Sequence, residues 1–339
     1  MAVNGRYDLA LCGYYGFGNL GDELLAEAAV SLAEECGTPR SRVVVLSGNP
    51  AETRKSLGTE AVDRWSLSKV LDALKASRSL LLGGGGLFQD STSIRSAFYY
   101  WGVVRLSCLA RCRPWCFGQS VGPFRSRTAQ ALARSALSRC EERAVRDRSS
   151  LAMLEGWGLK AALAPDLAFS LKIAGGPPAK EGRTLLVNLR PWKSGLPEAL
   201  AKALGEYGRR EDVELRGIAL ADEDASLMAK LNKEGLMPLA GIERVRSLED
   251  WSRVRQTGCC GAVGMRLHFC ILSVLVGLPL LGVPYDPKVA GLAEGVGFPL
   301  WKHGDRVVLG EPAYFPRIPA LRENVGKAFR EAYLSLGER

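Results

Sequence analysis

Arg266 and His268 stand two places apart in the stretch Gly264-Met-Arg-Leu-His-Phe269, and His268 is one of only two histidines in the chain. A guanidinium is a fixed cation whose fork matches a phosphate or carboxylate, and an imidazole titrates near neutrality and can hand over a proton. Residues 257–263 read as a short buried strand, and residues 269–276 as an apolar helix that stops at Gly277 and Pro279. The pair therefore falls at a strand-to-helix switch, where free backbone N–H groups and the helix dipole favour an anion. A histidine merely packed at a helix start is the plain alternative, and the other strand ends must decide between them.

Two glycine-rich segments also follow apolar strands. After residues 7–12 comes Gly13-Tyr-Tyr-Gly-Phe-Gly-Asn-Leu-Gly-Asp22. Gly16, Gly18 and Gly21 fit the G-x-G-x-x-G spacing of dinucleotide sites, but the next strand ends Leu46-Ser-Gly-Asn49 without the acid that would hold a ribose. Nicotinamide binding is thus disfavoured. What remains is a turn in which Asn19 offers a polar contact and Asp22 either caps a helix or meets a ligand. The second segment, Leu81-Leu-Gly-Gly-Gly-Gly-Leu-Phe-Gln-Asp90, clears side chains from a surface through Gly84, Gly85 and Gly86 and then presents Gln89 and Asp90. Because such a run costs chain entropy, a close-lying ligand is the expected reason for it. A third strand end adds Gln119 and Ser120, and together the three resemble the floor of a sugar site.

Strands alternate with helices along the chain, which predicts an α/β protein. Strands are expected at 7–12, 42–46, 79–82, 115–118 and 143–145, with helices at 22–36, 94–111, 128–140 and 149–156. A Gly- and Pro-rich linker over 171–183 separates a second series: strands at 184–189, 213–220, 257–263 and 280–283, and helices at 197–206, 223–233, 248–256 and 269–276. A last amphipathic helix covers 319–336. The expected architecture is two Rossmann-like, doubly wound domains facing a cleft, over 1–172 and 183–318. A C-terminal helix, 319–339, is free to pack back on the first domain. Ligands in such folds gather at the carboxyl ends of the strands.

Composition narrows the partners. The first residues lack a basic segment followed by an apolar core, and no apolar run reaches the length of a membrane helix, so a cytoplasmic protein is expected. The nine cysteines lack the paired spacing of a zinc site or a disulfide framework, so reduced thiols and no metal are expected. A net charge of +9 calls for an acidic partner. Without interleaved aromatics, a phosphorylated substrate or an anionic membrane face ranks above nucleic acid. Nothing in the sequence speaks to oligomeric state.

Six segments occur in order: Gly-Asn-Leu-Gly-Asp (18–22), Gly-Gly-Gly-Gly-Leu-Phe-Gln-Asp (83–90), Gly-Gln-Ser-Val-Gly-Pro (118–123), Val-Arg-Asp (145–147), Pro-Asp-Leu-Ala-Phe (165–169) and Gly-Met-Arg-Leu-His (264–268). Together they resemble the polysaccharide pyruvyl transferase family, nearest its bacterial cell-wall, CsaB-type branch, over roughly residues 5–300. The resemblance implies a GT-B-like fold and transfer of pyruvate from phosphoenolpyruvate (PEP) onto two hydroxyls of one sugar, with phosphate released and no cofactor. For the cell-wall branch it implies an N-acetylmannosamine acceptor on a lipid-diphosphate-linked precursor, a 4,6-ketal product that anchors surface-layer proteins, and a peripheral place on the inner membrane face. It also sets Arg190, Arg266 and His268 at PEP-contacting positions, with Lys288 and Arg146 as further cations. Asn19, Asp22, Gly84, Gly85, Gly86, Gln89, Gln119 and Asp166 fall on the acceptor side.

The chemistry expected of these residues begins with His268 protonating the PEP methylene carbon, so that C2 becomes oxocarbenium-like. Arg266 and its neighbours neutralise the phosphate, and a carboxylate, Asp90 before Asp166, takes the sugar proton. Two other classes fit the same residues. One is a GT-B glycosyltransferase using a nucleotide sugar, with Glu294 as a ribose-gripping acid; the other is a non-catalytic sugar-binding or membrane-docking protein.

Overall fold

The computed structural model of the chain describes residues 5–90, 94–173, 182–193, 195–255, 258–309 and 315–337. Three expectations fall partly outside these described residues: the core of the linker at 174–181, the strand start at Thr257 and the helix end at Gln256.

The described chain divides into two compact units. The first holds β1 (Tyr7–Cys12), α1 (Leu20–Glu35), β2 (Val43–Ser47), α2 (Pro50–Leu57), β3 (Glu60–Asp63), α3 (Leu67–Lys75), β4 (Ser77–Phe88), α4 (Ile94–Leu109), β5 (Arg113–Val121), α5 (Arg127–Leu137), β6 (Arg143–Val145), α6 (Arg148–Gly156) and β7 (Ala162–Leu163). Residues 19–21, at the start of α1, group with the second unit. The strands form one parallel sheet in the order β3-β2-β1-β4-β5-β6-β7. Runs such as Val43-Val-Val-Leu46 and Leu80-Leu-Leu82 are buried throughout, as strands covered on both faces must be.

The second unit holds β8 (Thr184–Asn188), α7 (Leu196–Glu211), β9 (Glu214–Ala219), α8 (Asp222–Lys233), β10 (Gly241–Arg244), α9 (Leu248–Arg255), β11 (Cys259–Gly264), α10 (Leu267–Leu275), β12 (Leu280–Gly282) and α11 (Pro287–Val296). Its five parallel strands run β10-β9-β8-β11-β12. Strand order reverses between β1 and β4 in the first sheet and between β8 and β11 in the second. These are the points where a doubly wound sheet opens a crevice beyond its strand ends.

α12 (Ile318–Ser335) closes the chain, and from Leu321 onward it belongs to the first unit. Phe329 sets its ring 5.3 Å from Trp115 and 5.3 Å from Phe117, and Tyr333 meets the Thr38 hydroxyl at 2.7 Å. The amphipathic helix at the C-terminus therefore completes the core of the unit that begins the chain.

The glycine tract departs from the sequence reading. It is not a turn after a strand but part of β4 itself, paired with β5 through Gly83↔Phe117 and Gly85↔Gln119. Its glycines answer to their own unit. A Cβ at Gly83 would stand 2.6 Å from Leu11 Cδ1, and one at Gly84 would stand 3.1 Å from Leu25 Cδ1 and 3.3 Å from Leu167 Cδ1. Gly84 and Gly85 also have φ of +72° and +85°, a region that Cβ-bearing residues enter at a cost. Packing and backbone conformation thus account for Gly83, Gly84 and Gly85 of the run that suggested a ligand.

Candidate active site

In the second unit, polar side chains meet at the carboxyl ends of β8, β9 and β11. Asn188 ends β8 and is fully buried. Its Nδ2 donates to Ile218 O at 2.8 Å, and its Oδ1 accepts the Arg266 N–H at 3.0 Å, so one amide joins the ends of all three strands. A buried amide this fully engaged fixes where Arg266 leaves β11. Met265 completes the bend by donating its N–H to Asn188 O at 3.0 Å.

The Arg266 guanidinium is not open to solvent. Its Nε donates to Asp224 Oδ2 at 2.6 Å, and its Nη2 donates to Asp224 Oδ1 at 2.7 Å and to Glu223 Oε1 at 2.7 Å. Asp224 is fully buried, whereas the Glu223 side chain is about half exposed at 56%. Burial favours the neutral form of Arg266, but the Asp224 hydrogen bond and both carboxylate charges outweigh it, so its pKa rises further. Glu223 responds in the opposite sense. Burial would raise its pKa, yet its own backbone N–H and the Arg266 guanidinium hold the carboxyl below the usual range. Arg266 was expected as an open cation for substrate; it stands instead inside a fork of two carboxylates, and only Glu223 is placed to leave.

Arg190 differs. It follows β8 by two residues, and its Nη1 donates to the Tyr285 hydroxyl at 3.2 Å. Its Cζ lies 5.2 Å from the Tyr285 ring centre and 5.7 Å from that of Trp192. Its buried Nε has no hydrogen-bond partner, and it forms no ion pair with any described carboxylate. Aromatic faces hold a guanidinium without neutralising it. Burial pushes the Tyr285 phenol up, although the Arg190 charge opposes that shift.

His268 is the second residue of α10, whose N-cap is Arg266, and it is half-buried. The first-turn N–H groups of a helix lack intrahelical partners and favour an anion. Lys288 lies in the first turn of α11, where Asp286 caps the helix by accepting the Lys288 N–H at 2.9 Å. The exposed Glu294 is also on α11, and its carbonyl accepts from Arg317 Nη1 at 3.0 Å.

The remaining expected site residues lie in the first unit, except Asn19, which groups with the second, and most are engaged there. Arg146 donates from Nη1 to Asp166 Oδ2 at 2.5 Å and from Nε to Ser120 Oγ at 2.8 Å. Both members of the Arg146–Asp166 pair are buried, and Asp166 Oδ1 also accepts the Ala168 N–H at 2.9 Å. Arg146 is therefore a strut between strand ends rather than an open cation. Ser120 donates to Asp147 Oδ2 at 2.6 Å, and Asp147 caps α6 through the Ser150 N–H. Burial would raise the Asp147 carboxyl, but three serine hydroxyls and the Ser150 N–H bring it below its ordinary value.

Gln119 is fully buried and donates to Leu82 O and Gly84 O, each at 3.0 Å, so it ties β5 to β4. Asp90 accepts the Arg125 and Ser126 N–H groups at 2.7 Å each, which gives both carboxylate oxygens to a loop. Asn19 accepts the Gly21 N–H at 3.2 Å, Asp22 lies in the first turn of α1, and Gln89 and Gly86 are half-buried at the end of β4. The structure thus assigns Asp90, Asp166, Arg146 and Gln119 contacts that hold the first unit together. In the second unit, Arg190 follows β8, while Arg266 and His268 follow the adjacent β11, His268 in the first turn of α10.

The order of motifs along the whole chain decides the family. The polysaccharide pyruvyl transferase family matches residues 19–287. The chain belongs to that family. Every strand end described above except the start of the β1 loop lies inside the matched region. No curated protein sequence matches the chain.

Solved structures extend the comparison of folds. Anabaena HepE, solved with UDP and glucose, aligns at a TM-score of 0.59 with 12% identity, over 98% of this chain and 95% of its own. The UDP-GlcNAc 2-epimerase of Methanocaldococcus jannaschii aligns at 0.61 with 8% identity, over 95% and 99%. Staphylococcus aureus MnaA with UDP aligns at 0.56 with 11% identity, over 98% and 91%. The chain shares the fold of these neighbours; at such identities the likeness concerns fold alone.

Sequence reasoning missed Asn188, Glu223, Asp224 and Tyr285. Asn188 left a trace: an amide closing the otherwise apolar strand Thr184-Leu-Leu-Val-Asn188 is a buried polar group that must find partners. Glu223 and Asp224 read as ordinary acids in a first helical turn. Their pairing with Arg266, 43 and 42 positions away, follows from the β8–β11 crossover and cannot be read from local spacing.

Proposed function

We propose that this protein transfers pyruvate from PEP onto two hydroxyls of an N-acetylmannosamine residue in a lipid-diphosphate-linked cell-wall precursor, closing a 4,6-ketal and releasing phosphate. Membership of the pyruvyl transferase family supports the reaction class. One observation favours the second unit for the donor: Arg190 follows β8, the strand beside the one that leads to Arg266 and His268, and it makes no ion pair with a described carboxylate, although the nearby Glu223 feels its charge. PEP carries a phosphate and a carboxylate, and an unneutralised guanidinium with helix N–H groups is the environment both require.

In this reading Arg190, with Lys288, holds the anionic groups of PEP. Glu223 swings into solvent as the phosphate arrives, and Arg266, still fixed by Asp224, meets an oxygen. His268 gives a proton to the methylene carbon, which becomes the methyl group. One sugar hydroxyl adds to C2, the C2–O bond to phosphate breaks, and the second hydroxyl closes the ring. Two protons leave the sugar: one replaces the proton taken from His268, and the departing phosphate carries the other. Asp90 shapes the loop at Arg125 and Ser126, so the phosphate oxygen is the preferred acceptor for that proton.

The test is incubation with PEP and a synthetic lipid-diphosphate disaccharide ending in N-acetylmannosamine, with phosphate release and product mass followed together. A product heavier by the pyruvyl group with matching phosphate supports both reaction and acceptor. PEP that protects the fold against heat without forming product keeps the donor and rejects the acceptor. Absence of PEP binding sinks the reading.

A further inference from the structure

The outer face of α4 is apolar where a surface helix ordinarily carries charge. At 100° per residue, Ile94, Phe98, Arg105 and Leu109 fall within an arc of about 60°. All four are exposed, Phe98 to 48% and Leu109 to 76%. The opposite side of the helix is already satisfied: Ala97, Tyr100, Val103 and Val104 are buried in the first unit's core. A helix that is apolar on both faces has a second apolar surface to cover. The patch continues onto the neighbouring helix. Trp65, in the turn before α3, and Leu67, its first residue, are each 65% exposed, and the Trp65 ring lies 5.5 Å from that of Tyr99 in α4.

Charge identifies what would cover it. Residues 91–140 contain eight arginines and no aspartate, glutamate or lysine, in a chain whose net charge is +9. Arg95, Arg105 and Arg111 are exposed on or just beyond α4 itself. A protein partner would have to match this one mixture of arginines and aliphatic groups with a complementary surface of its own, and a nucleic acid has no use for a row of aliphatic side chains between the cations. The outer part of an anionic bilayer offers both components: phosphates for guanidinium groups and, a few ångströms deeper, acyl chains for Ile, Leu and Phe. Tryptophan prefers that boundary as well. No helix among the described residues is long and apolar enough to cross a membrane, so the contact would be interfacial.

We propose that the α4 face, extended by Trp65 and Leu67, docks the protein on the surface of an anionic lipid bilayer. α4 lies in the plane of the headgroups, Phe98, Ile94 and Leu109 sink below them, and Arg105 pairs with phosphate from the centre of the stripe. This inference deepens the peripheral membrane place that the family resemblance implies by assigning it a surface, and it is tested with lipid alone.

Flotation of the full chain with vesicles of phosphatidylcholine, or of phosphatidylcholine mixed with phosphatidylglycerol, tests it without PEP or acceptor. The wild type should float with the anionic vesicles and remain below with the neutral ones. Arg105→Ser should weaken partition roughly fivefold, the share of one basic side chain near an anionic surface. Phe98→Ser with Leu109→Ser should abolish flotation, while the thermal midpoint and the far-ultraviolet circular dichroism stay unchanged. Wild-type protein that ignores anionic vesicles, or variants that float equally well, would overturn the proposal. So would a wild-type dimer that the Phe98→Ser, Leu109→Ser pair dissolves without any vesicle binding, since the face would then belong to a second copy of the chain.

Discussion

The strand ends of the two sheets use buried cations in different ways. In the first unit, Arg146 and Asp166 neutralise each other and the surrounding hydroxyls close the network. In the second, Arg266 is bound by one buried and one half-exposed carboxylate, while Arg190 is held by aromatic faces and a phenol and meets the Glu223 charge only at longer range, without an ion pair. A closed ion pair holds loops in place, and an unneutralised guanidinium attracts an anion. The difference teaches that a shared strand-end position does not make an arginine a ligand group; what matters is which side chains already complete its charge.

The sharpest way to break this comparison is to remove the buried acids. Asp224→Ala leaves the Arg266 charge with Glu223 alone, and Asp166→Ala leaves Arg146 without its acid. Each should cost about 3–5 kcal/mol of stability, the usual penalty for stranding one member of a buried pair. Fluorescence of the buried Trp251 in the second unit and of Trp115 in the first reports which unit loosens. Equal stability of Asp224→Ala and wild type would mean that Arg266 is free after all.

Arg190→Ala should do the reverse. Its contacts are with rings and one hydroxyl, so stability falls by about 1 kcal/mol or less. PEP turnover, measured as phosphate release, should fall about a hundredfold in kcat/KM, as for loss of one fixed donor to a developing anion. A variant that keeps its turnover would return Arg190 to the class of Arg146.

Glu223→Gln sharpens the contrast within the second unit. Removing the half-exposed charge leaves Arg266 with one carboxylate and makes it closer in kind to Arg190. KM for PEP should fall roughly fivefold, the factor that about 1 kcal/mol of relieved repulsion represents. A rise in KM would mean that Glu223 contacts substrate rather than competing with it.

Much of this organisation was legible in the sequence. Apolar runs bounded by glycine located β1, β2, β8, β11 and β12, and the 3.6-residue pattern located α1, α4, α8 and α12. Between residues 47 and 77 the signal failed. α2 buries only Thr53 and Leu57, and the short strand β3 buries only Ala61, so neither shows a long apolar period. The site was legible as positions rather than as contacts: Arg190, Arg266 and His268 could be placed on strand ends, but their partners come from other strands. The glycine run misled because the side chains that require it, Leu11, Leu25 and Leu167, lie far away in sequence. Asp90 misled because a carboxylate in a polar loop looks the same whether it awaits a proton or holds two backbone N–H groups.

The smallest expected effect concerns pH and returns to the first unit. The Asp147 carboxyl is held below its ordinary value by serine hydroxyls and the Ser150 N–H. A carboxyl with a depressed folded pKa contributes stability that is fully present above its unfolded value, about 3.9, and that disappears as pH falls through the folded value. Asp147→Asn keeps an N-cap acceptor for α6, so it removes the charge and little else. At pH 7 the variant should be less stable by about 1 kcal/mol. The gap should narrow below pH of about 4 and close once the wild-type carboxyl is protonated. Thermal unfolding of both proteins across that window reads the gap directly. A difference that persists at the acid end would mean that Asp147 contributes shape rather than charge, and the strand ends of the first unit would then be held by Arg146–Asp166 alone.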